Sequence, residues 1–102
     1  MSTMQNKELR IIRQNLAKSK PDLKKNYAVK RVGVFGSVAR GEQKKSSDLD
    51  VLVEFQRPIG FFKFIELENF LSKKLGRRVD LMSKKSIKSV VKKVILKETI
   101  YV

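Results

Sequence analysis

Two carboxylates, Asp48 and Asp50, follow a Gly36-Ser37 pair after a ten-residue spacer, and the pair itself closes an apolar run. On a strand, successive side chains point to opposite faces, so Asp48 and Asp50 face the same way, roughly 6.5 to 7 Å apart. Leu49, Val51, Val53 and Phe55 then face the other side, leaving Leu52 and Glu54 with the acids. A glycine at the end of a strand lets backbone approach a ligand, and the helix start behind it offers free N–H groups and a positive dipole end. Ser37 adds a hydroxyl that can donate to a phosphate oxygen. Two acids facing one spot beside such a turn suit metal-assisted chemistry on a nucleoside triphosphate. Taken singly, each feature has a plainer reading: a turn for Gly-Ser, a solvated strand face for the acids.

A third carboxylate, Asp80, lies between Val79 and Leu81 in a short apolar run. A lone acid there is costly unless it has a partner. If its strand pairs beside that of Asp50, Asp80 joins the same face and completes a three-carboxylate cluster, suited to two Mg²⁺ ions about 3.5–4 Å apart. Composition narrows the chemistry in the same direction. The chain has no Cys and no His, which excludes thiolate nucleophiles, Ser-His-Asp triads and metals held by Cys or His. Carboxylates, hydroxyls, Lys, Arg and an oxygen-bound cation, Mg²⁺ or Mn²⁺, remain. No Gly-Lys-Ser/Thr follows a glycine-rich loop, so a P-loop is excluded too.

Strands alternating with helices must position these groups. Leu9, Ile12 and Leu16 predict an amphipathic helix over 5–19, and Pro21 starts a second short turn carrying Leu23 and Tyr27. Residues 29–36 read as the first strand, with Val32 and Val34 on one face and Gly36 at its end. Ser37 is the expected N-cap of a short helix through Arg40-Gly41, and 42–47 form a polar loop. The second strand covers 48–55, and Pro58-Ile59-Gly60 makes a break. A helix over 61–75 follows, with Phe61, Phe64, Ile65, Leu67, Leu71 and Leu75 on its apolar stripe and Gly76 closing it. The third strand spans 77–82. Ser83 or Ser86 caps a last helix whose buried side holds Ile87, Val90, Val91, Val94 and Ile95. Residues 99–102 are either a fraying helix end or a short strand. The expected fold is α/β, a small mixed sheet flanked by helices in one domain over 1–102, with N-terminal helices over 1–28 and a catalytic core over 29–102.

Gly36-Ser37, the ten-residue spacer and Asp48-Leu49-Asp50 resemble the signature of the DNA polymerase β-like nucleotidyltransferases. The longer runs Phe35 to Glu42, Ser47 to Phe55 and Leu75 to Leu81, with the tail from Ile95 to Val102, resemble the minimal nucleotidyltransferases, antitoxins encoded beside HEPN-domain toxins. The resemblance implies a palm-like fold in which Asp48 and Asp50 ligate two Mg²⁺ ions on the ATP phosphates. It implies Asp80 as the third carboxylate, helping the metal and the incoming hydroxyl. Gly36 and Ser37 would hold the triphosphate, with Arg40 contacting it or bracing the loop. The implied reaction is transfer of AMP from ATP to a tyrosine hydroxyl of the HEPN toxin, within a hetero-oligomer.

The net charge is +14. Residues 1–30 carry 8 basic and 2 acidic side chains and 61–102 carry 11 and 4, whereas 31–60 carry 5 and 4. Positive flanks thus surround a nearly neutral, acid-bearing centre, which attracts a polyanion or is simply a solvated Lys-rich surface. Lys44 and Lys45 suit either a triphosphate or an acidic partner, and Arg40 with Glu42 also reads as a surface ion pair. The Phe61-Phe62-Phe64 group reads as core, but Phe61 and Phe62 cannot both turn inward, which leaves one for partner docking. Three classes stay open: the enzyme, a non-catalytic antitoxin that masks its partner by contact, and a basic nucleic-acid-binding protein, which leaves the carboxylates unexplained. A small-molecule nucleotidyltransferase would need a dimer or a partner to complete its pocket. The polar Met1–Lys7 and the lack of any apolar run near the roughly 20 residues of a spanning helix lead us to expect no signal peptide, no membrane segment and a cytoplasmic location.

Overall fold

A computed structural model of the chain describes residues 3–41 and 48–102. The apolar spacing at the start of the sequence forms one long helix, α1 (Thr3–Tyr27), where a helix and a separate turn were expected. Pro21 lies inside it. Proline removes the N–H that would reach Ala17, yet Leu16, Leu23 and Tyr27 recur on one face and are all buried, so core packing carries the helix across the break. Ala28 then turns the chain in the left-handed region (φ 55°) into β1 (Val29–Phe35).

The remaining elements are α2 (Gly36–Ala39), β2 (Leu49–Phe55), α3 (Phe61–Leu75), β3 (Val79–Ser83), a 3₁₀ turn (Lys84–Ser86), α4 (Ser89–Glu98) and β4 (Ile100–Tyr101). They form one four-stranded mixed sheet in the order β3-β2-β1-β4. β1 runs antiparallel to β2 and β4, and β2 runs parallel to β3, the crossover being made by α3. Gly33 admits β4, because a Cβ there would stand 2.9 Å from the Ile100 carbonyl oxygen. The uncertain tail is therefore a strand.

Alternation along the strands gives the sheet two different faces. One carries Val32, Val34, Leu49, Val51, Val53, Val79 and Leu81, all buried in the main core with α1 and α3. The other holds a smaller cluster of Phe35, Leu52 and Ile87, packed by Met82, Ile95, Leu96 and Tyr101 from β3, α4 and β4. α3 also guards the outer edge of β3. Ser72 Oγ accepts from the Val79 N–H at 3.1 Å and Glu68 Oε2 accepts from the Leu81 N–H at 2.9 Å, satisfying donors that an edge strand otherwise leaves open. Gly76, at φ 66°, closes α3 as the sequence predicts.

Three further expectations need correction. Ser37 is not a cap: α2 starts one residue earlier, with Phe35 at the N-cap position and no side-chain cap bond. α4 starts later than expected, after Lys88, with neither Ser83 nor Ser86 as its cap, and Val90 (88% exposed) and Val94 (62%) point away from the sheet. Of the residues expected on the buried side, Ile87 and Ile95 do pack, joined by Leu96, and Ile87 does so from the turn that precedes the helix. Phe61 and Phe62, 72% and 85% exposed, both stand outside the core, since the buried stripe of α3 centres on Leu67 and Leu71. No helix among the described residues is long and apolar enough to cross a membrane.

Candidate active site

The register brings the carboxylates together. Asp50 pairs with Phe35 on one neighbour and with Asp80 on the other. In-register residues of parallel strands share a face about 4.8 Å apart, so Asp50 and Asp80 lie side by side on the sheet face that α4 only partly covers. Asp48 precedes β2 by one residue and is half-exposed, its Oδ2 3.9 Å from Arg78 Nε. Asp80 is exposed because β3 is an edge strand, so its place between two apolar residues carries no burial cost.

Gly36 sits directly against Asp50. It has φ 76°, and a Cβ at this position would collide with the Asp50 carboxylate. Only glycine meets both demands, the left-handed backbone and the close approach. Ser37 follows half-buried in the first turn of α2, and Arg40 ends that turn. The expectations for Glu42, Lys44 and Lys45 lie outside the described residues.

One participant escaped the reading of the motifs. Glu98, the last residue of α4, accepts the Gly36 N–H at 3.1 Å and pairs with Arg40 Nη1 at 3.2 Å. It ties the end of α4 to the Gly-Ser corner and orients the arginine beside Asp50. It also engages the Gly36 N–H, so a phosphate at this corner would meet the Ser37 hydroxyl and the Arg40 guanidinium. The signal was present in the sequence: Glu98 is the single carboxylate among six lysines over 84–102.

The electrostatics agree with a cation-seeking site. Burial pushes the Asp50 carboxyl above its ordinary range, and the charges of Asp80, Asp48 and Glu98 add to this while Arg40 opposes it. Among the described residues no three acidic side chains converge into a ready-made metal cage. Mg²⁺ does not require one, since it is usually held by one or two carboxylates with substrate phosphates and water completing the shell. The all-oxygen donor set fits that ion.

A two-carboxylate strand pair beside a glycine corner, on a mixed sheet backed by two helices, is an arrangement suited to metal-assisted chemistry on a nucleoside triphosphate. The chain belongs to the nucleotidyltransferase domain family, whose model matches residues 16–102, and within it to the minimal nucleotidyltransferases. It is 47% identical over 87 residues to the protein adenylyltransferase MntA of Thermococcus cleftensis, covering 85% of this chain and 88% of that protein. A solved structure named for a minimal nucleotidyltransferase superposes with a TM-score of 0.72 at 34% identity, covering 87% of this chain and 93% of that one. The fold is also similar to one in the tri-AMPylated HEPN toxin complex with its MNT antitoxin from Shewanella oneidensis, with a TM-score of 0.68, 18% identity, and 91% and 70% of the two chains covered.

Proposed function

We propose that this chain transfers AMP from ATP to a hydroxyl of a HEPN-domain toxin, a tyrosine in the first instance, and so acts as its antitoxin. The observation that carries this reading is the register that sets Asp50 beside Asp80 under the Gly36 corner. In the reaction the acceptor oxygen attacks the α-phosphorus, the bond to the bridging oxygen of the β-phosphate breaks, and pyrophosphate leaves. Ser37 and Arg40 orient the triphosphate, and Asp80, exposed at the edge of the cleft, takes the acceptor proton. Asp48, Asp50 and Asp80 would hold one or two Mg²⁺ ions, which when bound neutralise the developing charge on the phosphates. Support comes from the named activity of the MntA relative and from the AMPylated toxin in the Shewanella complex. Asp80 is exposed on the edge strand β3, which suits a partner that supplies the wall on that side.

The test is mass spectrometry of the protein from the neighbouring gene, after incubation with this chain, ATP and Mg²⁺, with EDTA and the Asp48→Asn, Asp50→Asn double variant as controls. A gain of AMP units, lost in both controls, is expected. No gain, with a complex that forms equally well in the variant, would replace the enzyme with an antitoxin that masks its partner by contact.

A further inference from the structure

We propose that the groove at the far end of the sheet is a docking site for an acidic protein segment bearing an apolar anchor side chain. The groove has a volume of about 710 Å³ and lies between the β2–α3 connection, the start of α3 and the 3₁₀ turn. Phe55 and Phe64 form its floor, their rings edge to face at 6.3 Å, and Phe61 stands at its mouth. Phe61 and its neighbour Phe62 expose more aromatic surface than any other residues described, and exposed aromatic pairs of this kind mark interaction surfaces.

The rim selects the sign of the partner. Arg57, Lys85 and Lys92 line it, and none has a carboxylate partner among the described residues. The one carboxylate lining the groove, Glu54, is already held by Lys30 at 3.7 Å and Lys84 at 3.5 Å. An apolar floor ringed by unpaired cations complements a segment with an aliphatic or aromatic anchor between acidic residues. Nucleic acid fits less well, because the floor is a recess between packed rings rather than an open stacking platform. The groove is also separate from the acids. On β2, Leu52 lies between Asp50 and Glu54 and is buried with Ile87, which blocks a direct path along the sheet face. The inference rests on the chain having a protein partner, and it holds whether that partner is modified or only masked.

The probe is a synthetic peptide with a central Leu-Phe pair flanked by Asp and Glu, titrated into the ¹⁵N-labelled full chain. Amide shifts are expected at 57–64, 83–86 and Lys92, with much weaker binding when the acids become Lys or the Leu-Phe pair becomes Ser-Ser. Phe61→Ser, a substitution of an exposed residue, should weaken binding about tenfold or more, as for a hot-spot anchor. Lys85→Glu with Lys92→Glu should do the same and flatten the salt dependence. Shifts that map elsewhere, or affinity unchanged by these substitutions, would overturn the proposal. So would single-stranded RNA that binds the same residues more tightly than the peptide. Absence of AMP transfer alongside an intact peptide map would remove the proposed activity and leave the docking site standing.

Discussion

Asp50 carries the cost of the site. Its carboxyl is held above the ordinary range by burial first and then by Asp80 and Asp48, which means that the folded chain binds this proton more tightly than the unfolded one. A raised carboxyl favours folding at low pH: the contribution is fully present below the unfolded pKa and is lost as the pH rises through the raised folded value. At neutral pH, without a divalent cation, the ionised Asp50 therefore weakens the fold. Asp50→Asn should raise Tm at pH 7 in EDTA while abolishing AMP transfer, and the Tm gain should shrink as the pH falls into the carboxylate range. Thermal melts across that range check the sign. Equal melting temperatures at pH 7 would mean that neither burial nor the neighbouring acids strain Asp50. Added Mg²⁺ should narrow the gap from the other direction, by binding only the wild-type carboxylates.

At the scale of elements, α1 is the clearest case of packing overriding a local signal. Pro21 removes one backbone hydrogen bond and crowds the preceding turn, and Leu23 and Tyr27 hold the helix together nonetheless. Pro21→Ala should therefore stabilise the chain by about 1–3 kcal/mol, the helix-interior penalty less a small loss from the unfolded state, as read by urea denaturation. The i, i+3, i+7 spacing of Leu9, Ile12 and Leu16 announced a helix; what proline alone could not reveal was whether the core beyond it was strong enough to continue the element. The strands were easier to read. Alternation at Leu49 to Phe55 fixed which side each residue faces, and Gly76 with Val79-Asp80-Leu81 marked β3, but its pairing beside β2 stayed a condition that the register meets. α4 was misjudged in part because Ile87 packs from the turn that precedes the helix: the valines at 90, 91 and 94 repeat with helical period but lie on the side away from the sheet. Glu98 was missed for a related reason. Its contact joins residues 62 positions apart, and no local pattern encodes it.

For the molecule as a whole, 24 Lys and Arg against 10 Asp and Glu set the balance. The described ion pairs occupy only a few of these cations, and most of the pairs are at least partly exposed. Exposed pairs contribute little, whereas a net charge this large repels itself throughout the compact state. Sodium chloride added in the range where the Debye length drops from about 30 Å to about 8 Å should thus raise Tm, because it relieves more repulsion than attraction. A fall in Tm over that range would mean that the surface pairs dominate after all. Recognition has the opposite response: a cationic groove loses affinity for an acidic segment as salt rises. Stability and docking are therefore expected to move in opposite directions with ionic strength.

The bond between Glu98 and the Gly36 corner also makes the site depend on a residue translated after every one of its signature residues. The signature residues from Gly36 to Asp80 are all translated before position 98, and a ribosome that stops short of it leaves a chain holding every one of them. Such a chain lacks the carboxylate that engages the Gly36 N–H and steadies Arg40, and it lacks β4 along the edge of β1. Possession of the motif is thus separated from possession of a finished corner, and a truncated product would advertise the family without the geometry to serve in it.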